Sequence, residues 1–187
     1  MKLKTIASFI LVALLTSCAA LVVVGAAGGV VVYDRRSITT LESDARIFYV
    51  INRAITSDRS FRDSRIVITS FNHVVLLAGQ TPTASLRVLA EKIAKTTPNV
   101  RRVYNQITID YPLSFSQRSN DTWIASQVRT QMLTKKGLES GSIHIITENS
   151  VVYLMGIVTA DQAKLAVNVA RQVNGVSKVV KLFQYIV

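Results

Sequence analysis

The sequence predicts an α+β protein in which one small α-β-β-α-β unit occurs twice in tandem, each copy folding as a two-layer sandwich. Three observations support this prediction. The chain of 187 residues is long enough for two small domains. An apolar helical pattern recurs at a fixed offset, which is the signature of an internal repeat. In both copies that pattern is followed by two apolar runs joined by a polar turn.

The first helix of each copy is predicted from apolar residues spaced four apart. Ile47, Ile51 and Ile55 recur 77 residues later as Ile124, Val128 and Met132. Residues at i, i+4 and i+8 lie on one face of a helix. Each unit therefore begins with an amphipathic helix.

A hairpin, a second helix and a last strand follow in both copies. The runs Val74 to Gly79 and Val151 to Gly156 match at the same offset, each preceded by a polar turn. Beyond the glycine the offset becomes 76, where a second helix and a final β-rich run follow. The repeat places a first domain at 44–110, a linker at 111–120 and a second domain at 121–187. Ahead of them, the amino-terminal pattern described next predicts a signal peptide at 1–17 and a tether at 18–43.

The amino terminus has the layout of an export signal. Lys2 and Lys4 precede an uncharged apolar run over residues 6–15, and Thr16, Ser17 and Cys18 follow. The last four of these positions, Leu-Thr-Ser-Cys, resemble a bacterial lipobox, which predicts cleavage after Ser17 and acylation of Cys18. Apolar residues continue to position 33, so a single transmembrane helix or an uncleaved signal anchor is the alternative.

The strongly basic composition raises the question of an acidic partner. The formal net charge is +11, and two of these charges, Lys2 and Lys4, leave with the predicted signal peptide. The remaining basic residues are scattered and not interleaved with aromatic residues, so nucleic acid is not expected as a partner. Anionic phospholipid of the envelope is expected instead, with a solvated basic surface as the alternative.

No pattern indicates catalysis. His73 and His144 do not occupy equivalent positions in the repeat, and neither has metal-ligand spacing around it. The chain lacks a nucleophile elbow and a phosphate-binding loop. We therefore expect neither enzymatic activity nor a metal or cofactor.

The order of elements resembles the BON domain, a family associated with bacterial envelopes and phospholipid binding. The second copy carries the pattern best, in residues 147–156 and in Val173-Asn174-Gly175-Val176. The first copy departs from it, because Asn99 stands where the family often has a glycine before Val100.

The whole chain resembles the dual BON-domain outer-membrane lipoproteins of proteobacteria. Cys18 and the segment Ser119-Asn120-Asp121-Thr122-Trp123-Ile124 are the specific matches. The resemblance implies a role in envelope integrity and binding of anionic phospholipid, mainly by the second domain. Ala19, directly after the cysteine, implies sorting to the outer membrane, with the domains in the periplasm.

The predicted lipid-contacting residues lie on the first helix of the second domain. Trp123 precedes the core residue Ile124, and a step of about 100° moves it off the buried face. Tryptophan favours membrane interfaces. The predicted site comprises Trp123, Arg129, Met132, Leu133, Lys135 and Lys136.

Two alternatives stay open at this point. In the first, Trp123 packs against the first domain or the linker instead of contacting lipid. A scaffold that binds other envelope proteins, with no lipid contact beyond its acyl anchor, is the alternative for the whole protein.

Overall fold

The computed structural model describes residues 34–186. The predicted signal peptide, Cys18 and the tether up to residue 33 lie outside the described residues. Within the described part, no helix is both long enough and apolar enough to span a membrane.

Both repeat units have the predicted order of elements. The first contains α1 (Ile38–Ser57), β1 (Arg65–Phe71), β2 (Val74–Thr81), α2 (Ala84–Thr96) and β3 (Arg102–Ile109). The second contains α3 (Phe115–Thr134), β4 (Ile143–Glu148), β5 (Val151–Val158), α4 (Ala160–Arg171) and β6 (Lys178–Tyr185). A single 3₁₀ turn precedes the first strand of each unit, at Arg59–Phe61 and Ser140–Ser142.

Each unit forms a three-stranded sheet with the hairpin's second strand in the middle. The hairpin is antiparallel, and the last strand pairs in parallel with the middle one. The helix between these two strands is the crossover that a parallel pair requires. The two helices of each unit cover one face of its sheet, which confirms the two-layer α+β prediction.

The first helix of each unit begins earlier than the sequence predicted. Ser37 accepts a hydrogen bond from the backbone of Thr40, and α1 therefore begins inside the predicted tether. Ser114 and Gln117 form a reciprocal capping box, so α3 begins inside the predicted linker. Such boxes satisfy amide groups that the first helical turn leaves free.

A buried aspartate on each first helix holds the hairpin turn of its own unit. Asp44 accepts the backbone N–H groups of Asn72 and His73 at 2.7 and 2.9 Å. Asp121 accepts those of Asn149 and Ser150 at 2.8 and 2.7 Å.

All four turn residues have positive φ, between 48° and 64°. This is the conformation of a two-residue hairpin turn, which asparagine tolerates well. The aspartates therefore stabilise a turn that is otherwise strained.

The glycine that ends each apolar run is required by a close approach of the neighbouring strand. A Cβ atom on Gly79 would lie 2.0 Å from the carbonyl oxygen of Arg65, and one on Gly156 would lie 2.4 Å from that of Ser142. At the departure noted in the first copy, Asn99 has φ 66° and Gly175 has φ 87°. The left-handed turn is thus conserved in shape between the two copies, because asparagine can adopt it.

The two sheets pack face to face. Phe71, Leu76 and Ala78 of the first sheet are buried against Tyr153, Met155 and Leu182 of the second. The neighbouring residues of the middle strands, such as Leu77 and Leu154, point to the helices of their own units instead. The described chain is therefore one four-layer unit, with a helix layer outside each sheet.

A polar cluster borders this interdomain core. Glu148 is buried and receives a hydrogen bond from Arg65 Nη1 at 2.5 Å and one from Gln80 Nε2 at 3.0 Å. Gln80 also accepts the backbone N–H of Leu113, in the connection between the units, at 3.2 Å. These contacts join the first sheet, the second sheet and the connecting segment. The two units are consequently held in a fixed relative position.

Candidate functional site

Helix α3 carries most of the residues that the sequence predicted as a site. Its inner face is defined by Asp121, Ile124, Val128 and Met132, all buried. Its outer face exposes Trp123, Phe115 and Leu133, at 50, 78 and 49% of their surface. The helix therefore presents large apolar side chains on the side opposite the core.

The exposed face of α3 lacks negative charge. Asp121 is the only carboxylate of the helix, and it is buried under the hairpin turn. At about 100° per residue, Leu133 lies about 80° and Arg129 about 120° around the helix from Trp123, on the same side. An apolar strip therefore has a basic border along one edge. Arg118 extends that border, with its guanidinium 5.9 Å from the ring centre of Phe115.

Met132 does not belong to this surface. It is fully buried in the core of the second unit, among side chains that include Val128 and Ile143. The same four-residue spacing that places Ile124 and Val128 inward also places Met132 inward. The prediction that Met132 contacts lipid at the surface is therefore wrong, and Met132 is a core residue.

The two predicted lysines follow the helix. Lys135 is the C-cap of α3 and lines a groove with Leu165 and Arg171 of α4. Lys136 is exposed in the next turn. The structure thus brings Trp123, Leu133 and Arg129 onto one helical surface, with the lysines at its carboxyl end.

Trp123 takes no part in the interdomain core. That core is formed by the opposed faces of the two sheets, whereas Trp123 lies on the outer helix layer. Half of its side chain remains open to solvent. The sheet-to-sheet core therefore does not include Trp123, and packing of its buried half against the connection between the units stays an alternative.

The end of the predicted tether is docked on both domains. Arg36 pairs with Asp44 at 2.9 Å and with Asp34 at 2.8 Å, and its guanidinium lies 4.3 Å from the ring centre of Phe71. One of its nitrogens is 3.3 Å from His144 Nε2 in the second domain. We call these five residues the Arg36 cluster. Sequence reasoning missed it, although Asp44 and Asp121 match at the repeat offset and each precedes a core isoleucine by three positions.

The charges of the Arg36 cluster are fixed by its hydrogen bonds. Burial raises the pKa of Asp44, but hydrogen bonds from His73, Ser70 and Arg36 together lower it by more. The pKa of Asp44 is therefore below its ordinary value. Burial and the positive charges of Arg36 and Arg129 together hold the pKa of His144 below 6.5. Asp34 and Asp44 oppose this shift only in part.

The lowered pKa of His144 makes stability depend on pH. The unfolded chain takes up a proton near 6.5 whereas the folded chain resists it, so stability is complete above that value and falls as the pH decreases towards the folded pKa. We expect urea unfolding midpoints to fall between about pH 7.5 and about pH 5.5. His144→Gln should show a smaller fall over the same interval, and an equal fall would contradict the assignment.

The two histidines do not form a joint site. His73 Nδ1 lies 3.1 Å from the carbonyl oxygen of Asn99 in the first unit, whereas His144 belongs to the Arg36 cluster. Among residues 34–186, no three His, Cys, Asp or Glu side chains are grouped so as to hold a metal ion.

The family is established by comparison. The model of the BON domain matches residues 43–111 and 120–186, one match for each structural unit. The chain therefore belongs to the BON-domain family. The matched ranges begin within α1 and within α3, five residues after the start of each helix.

Two relatives that match most of the chain identify the kind of BON-domain protein more closely. The outer membrane lipoprotein DolP of Haemophilus influenzae is 33% identical over 174 residues, covering 92% of this chain and 90% of that protein. A 21 kDa hemolysin of Actinobacillus pleuropneumoniae is 32% identical over 82% of this chain and 79% of its own length. The chain is thus an outer-membrane lipoprotein of the DolP family, as the sequence resemblance implied.

Similarity to a solved structure is weaker. CdsD, a structural protein of the type III secretion system of Chlamydia trachomatis, aligns with 78% of this chain and 92% of that chain, with 12% identity and a TM-score of 0.33. At this level neither its arrangement nor its role bears on the present chain.

Proposed function

We propose that the second BON domain binds anionic phospholipid through the outer face of α3, while acylated Cys18 anchors the chain in the outer membrane. The protein supports envelope integrity by this double attachment. The observation that carries the proposal is the exposed apolar strip of Trp123, Phe115 and Leu133 on a helix with no exposed carboxylate.

The composition of this strip suits a membrane interface. Tryptophan places its apolar rings at the acyl boundary and keeps its N–H group in water. Arg129, Lys135 and Lys136 supply positive charge beside the strip and at its end. Each basic residue near an anionic membrane surface contributes about 1 kcal/mol. The apolar and basic parts therefore act together.

The path of the chain is compatible with the same orientation. Arg35, near the start of the described residues, pairs with Glu139 at 2.6 Å. Glu139 follows the carboxyl end of α3 by five residues. Arg35, which follows the predicted Cys18 tether in sequence, thus lies beside the end of the proposed membrane surface.

Trp123→Ala is expected to weaken binding of fragment 34–187 to phosphatidylglycerol vesicles between about 30-fold and about 150-fold. Burial of a further ~100 Å² of tryptophan surface contributes about 2 to 3 kcal/mol. The loss should persist at every salt concentration. Replacing Arg129, Lys135 and Lys136 by glutamine should instead remove mainly the salt-sensitive part of binding.

Tyr49→Ala is the matched control. Tyr49 is an exposed aromatic residue on α1 of the first domain, with 59% of its surface accessible. Its removal should leave vesicle affinity unchanged. Wild-type affinity in a folded Trp123→Ala variant would place the lipid contact elsewhere.

Cys18→Ala should abolish anchoring. One acyl chain gives only marginal membrane binding, and stable attachment takes more than one. The variant should keep its signal peptide and lack the acyl mass when analysed by mass spectrometry. A processed, acylated mass equal to that of the parent would show that the lipobox assignment is wrong.

Sorting to the outer membrane can be checked separately. Ala19 supports it, since an aspartate at that position commonly retains lipoproteins at the inner membrane in this class. Recovery of the parent protein with inner-membrane markers would contradict this part of the proposal.

A protein-interaction scaffold is the second candidate. Helix α1 exposes Ile38, Phe48 and Tyr49 on the first domain, at 75, 43 and 59%. Such a surface suits contact with another envelope protein. Vesicle binding by the fragment without its anchor supports the lipid proposal, and its absence supports the scaffold.

A further inference from the structure

The groove between α4 and β6 of the second domain carries positive charge without an internal counter-charge. It encloses about 440 Å³ and is lined by Arg171, Lys178 and Lys181 together with Ser177 and three valines. Among residues 34–186, the described ion pairs include none of these three cations. Lys181 lies on the face of β6 that is turned towards α4 and Arg171, with Val179 and Phe183, whereas Lys178 lies at the start of the strand, at the end of the groove.

In the first domain a carboxylate lies at the equivalent place, between the second helix and the last strand. There Glu91, on α2, receives hydrogen bonds from Lys95 at 2.5 Å and from Asn105 of β3 at 3.0 Å. Hydrogen bonds from Lys95 and Asn105 hold the pKa of Glu91 below its ordinary value. A carboxylate at this position is therefore stabilised by its neighbours in the first copy of the repeat.

The residues at these two places are equivalent in register. Asn105 pairs opposite Leu77 in the first sheet, and Lys181 pairs opposite Leu154 in the second. On the helices, Glu91 and Val167 each follow a fully buried alanine, Ala90 or Ala166. The second domain has therefore replaced the internal carboxylate by valine and the strand amide by lysine.

We propose that the α4–β6 groove of the second domain binds the phosphate group of an external ligand. Arg171 and Lys181 provide two cationic donors on the two sides of the groove, Lys178 adds positive charge at its end, and charge-assisted hydrogen bonds to phosphate are strong. Val167, Val176 and Val179 give the groove an apolar wall. None of the residues that line this groove belongs to α3, although Arg171 also lines the neighbouring groove with Lys135, and the proposal does not rest on the proposed membrane contact.

The test is titration of the full-length chain in detergent with inorganic phosphate, compared with chloride at equal ionic strength and followed by backbone NMR. Saturable shifts are expected at residues 176–181. Lys181→Asn, which restores the residue of the first domain, should weaken the response roughly tenfold or more, the scale of one charged hydrogen bond. Lys164→Gln, on an exposed lysine of α4 that pairs with Asp161, should not change it.

A graft from the first domain provides a second, independent variant. Val167→Glu combined with Lys181→Asn rebuilds the internal carboxylate and should abolish the phosphate response while the fold is retained. The reverse pair, Glu91→Val with Asn105→Lys, should create a new response in the first domain. Because neither pair touches α3, Trp123→Ala should keep the groove response even if it loses vesicle binding.

The source of the phosphate is separated by vesicles. If Lys181→Asn also lowers affinity for phosphatidylglycerol vesicles, the ligand is a lipid headgroup. If vesicle affinity is unchanged, the ligand is a soluble phosphate or phosphate ester. Equal, unsaturable shifts in the parent and in Lys181→Asn, or tighter binding of a polyglutamate peptide than of phosphate, would overturn the proposal.

Discussion

Asp44→Ala is expected to lower the free energy of unfolding by about 3 to 4 kcal/mol. The carboxylate has four partners: the Arg36 guanidinium, the Ser70 hydroxyl and the two N–H groups of the first hairpin turn. Its removal leaves a buried arginine short of one ion pair and two amides without their acceptor, and each such loss costs about 1 to 3 kcal/mol. Arg36 keeps Asp34, which limits the total.

The equivalent aspartate of the second domain is the matched comparison. Asp121 accepts the two N–H groups of its own turn, and no arginine pairs with it among the described ion pairs. Asp121→Ala should therefore cost about 2 kcal/mol, less than Asp44→Ala. Asp161→Ala, an exposed acid of α4, should stay within about 0.5 kcal/mol.

Urea unfolding measured by circular dichroism gives these values. Equal losses for Asp44→Ala and Asp121→Ala would mean that the ion pair with Arg36 contributes nothing to stability. A loss below about 1 kcal/mol for both would contradict the role of these aspartates in holding the hairpin turns.

The element order could be predicted because it depends on local patterns. Four-residue spacing of isoleucines identified α1, and the repeat transferred the same assignment to α3. The hairpins followed from apolar runs joined at Asn72 and Asn149, residues that tolerate the left-handed turn. These signals are contained within a few residues of the chain. Helix starts were less certain, because the caps at Ser37 and Ser114 lie outside the apolar pattern.

The packing of the two sheets against each other could not be predicted from the sequence. A continuous apolar run such as Val74 to Gly79 indicates a strand buried on both faces, but it does not identify what covers the second face. The covering residues belong to the other domain, nearly 80 positions away in the chain. Asp34 to Arg36 looked like the polar end of a tether for a similar reason, because His144 lies 108 positions after Arg36. Asp44 is only eight residues from Arg36, but His144 becomes a neighbour only when the second domain is in place.

The candidate surface was predicted in part. The exposure of Trp123 follows from its position beside Ile124, since one helical step moves a residue away from the core. Met132 was assigned both to the core triplet and to the surface, and the triplet was correct. The lack of exposed carboxylates on α3 required knowing that Asp121 is buried. Its position in the repeat, matched by Asp44, was the available signal.

Leu76→Ala is expected to destabilise the protein by about 3 kcal/mol, as much as Leu77→Ala. Both leucines are fully buried neighbours on β2, but Leu76 points into the interdomain core and Leu77 into the core of the first domain. Removing a buried leucine side chain costs about 2 to 5 kcal/mol when the surrounding structure cannot collapse around the cavity. Equal losses would show that the sheets pack as tightly on each other as on their helices.

Trp123 makes this comparison a test of coupling, because the only tryptophan of the chain lies in the second domain. In urea unfolding, its fluorescence reports that domain, whereas Leu76 and Leu77 belong to the first. If the four layers unfold as one unit, both substitutions should move the tryptophan transition together with the circular dichroism transition. A Leu76→Ala loss below about 1 kcal/mol, with an unmoved tryptophan transition, would mean that the domains are only loosely docked. In that event the contacts of Arg36 with Asp44 and His144 would not be enough to hold the two domains in one arrangement.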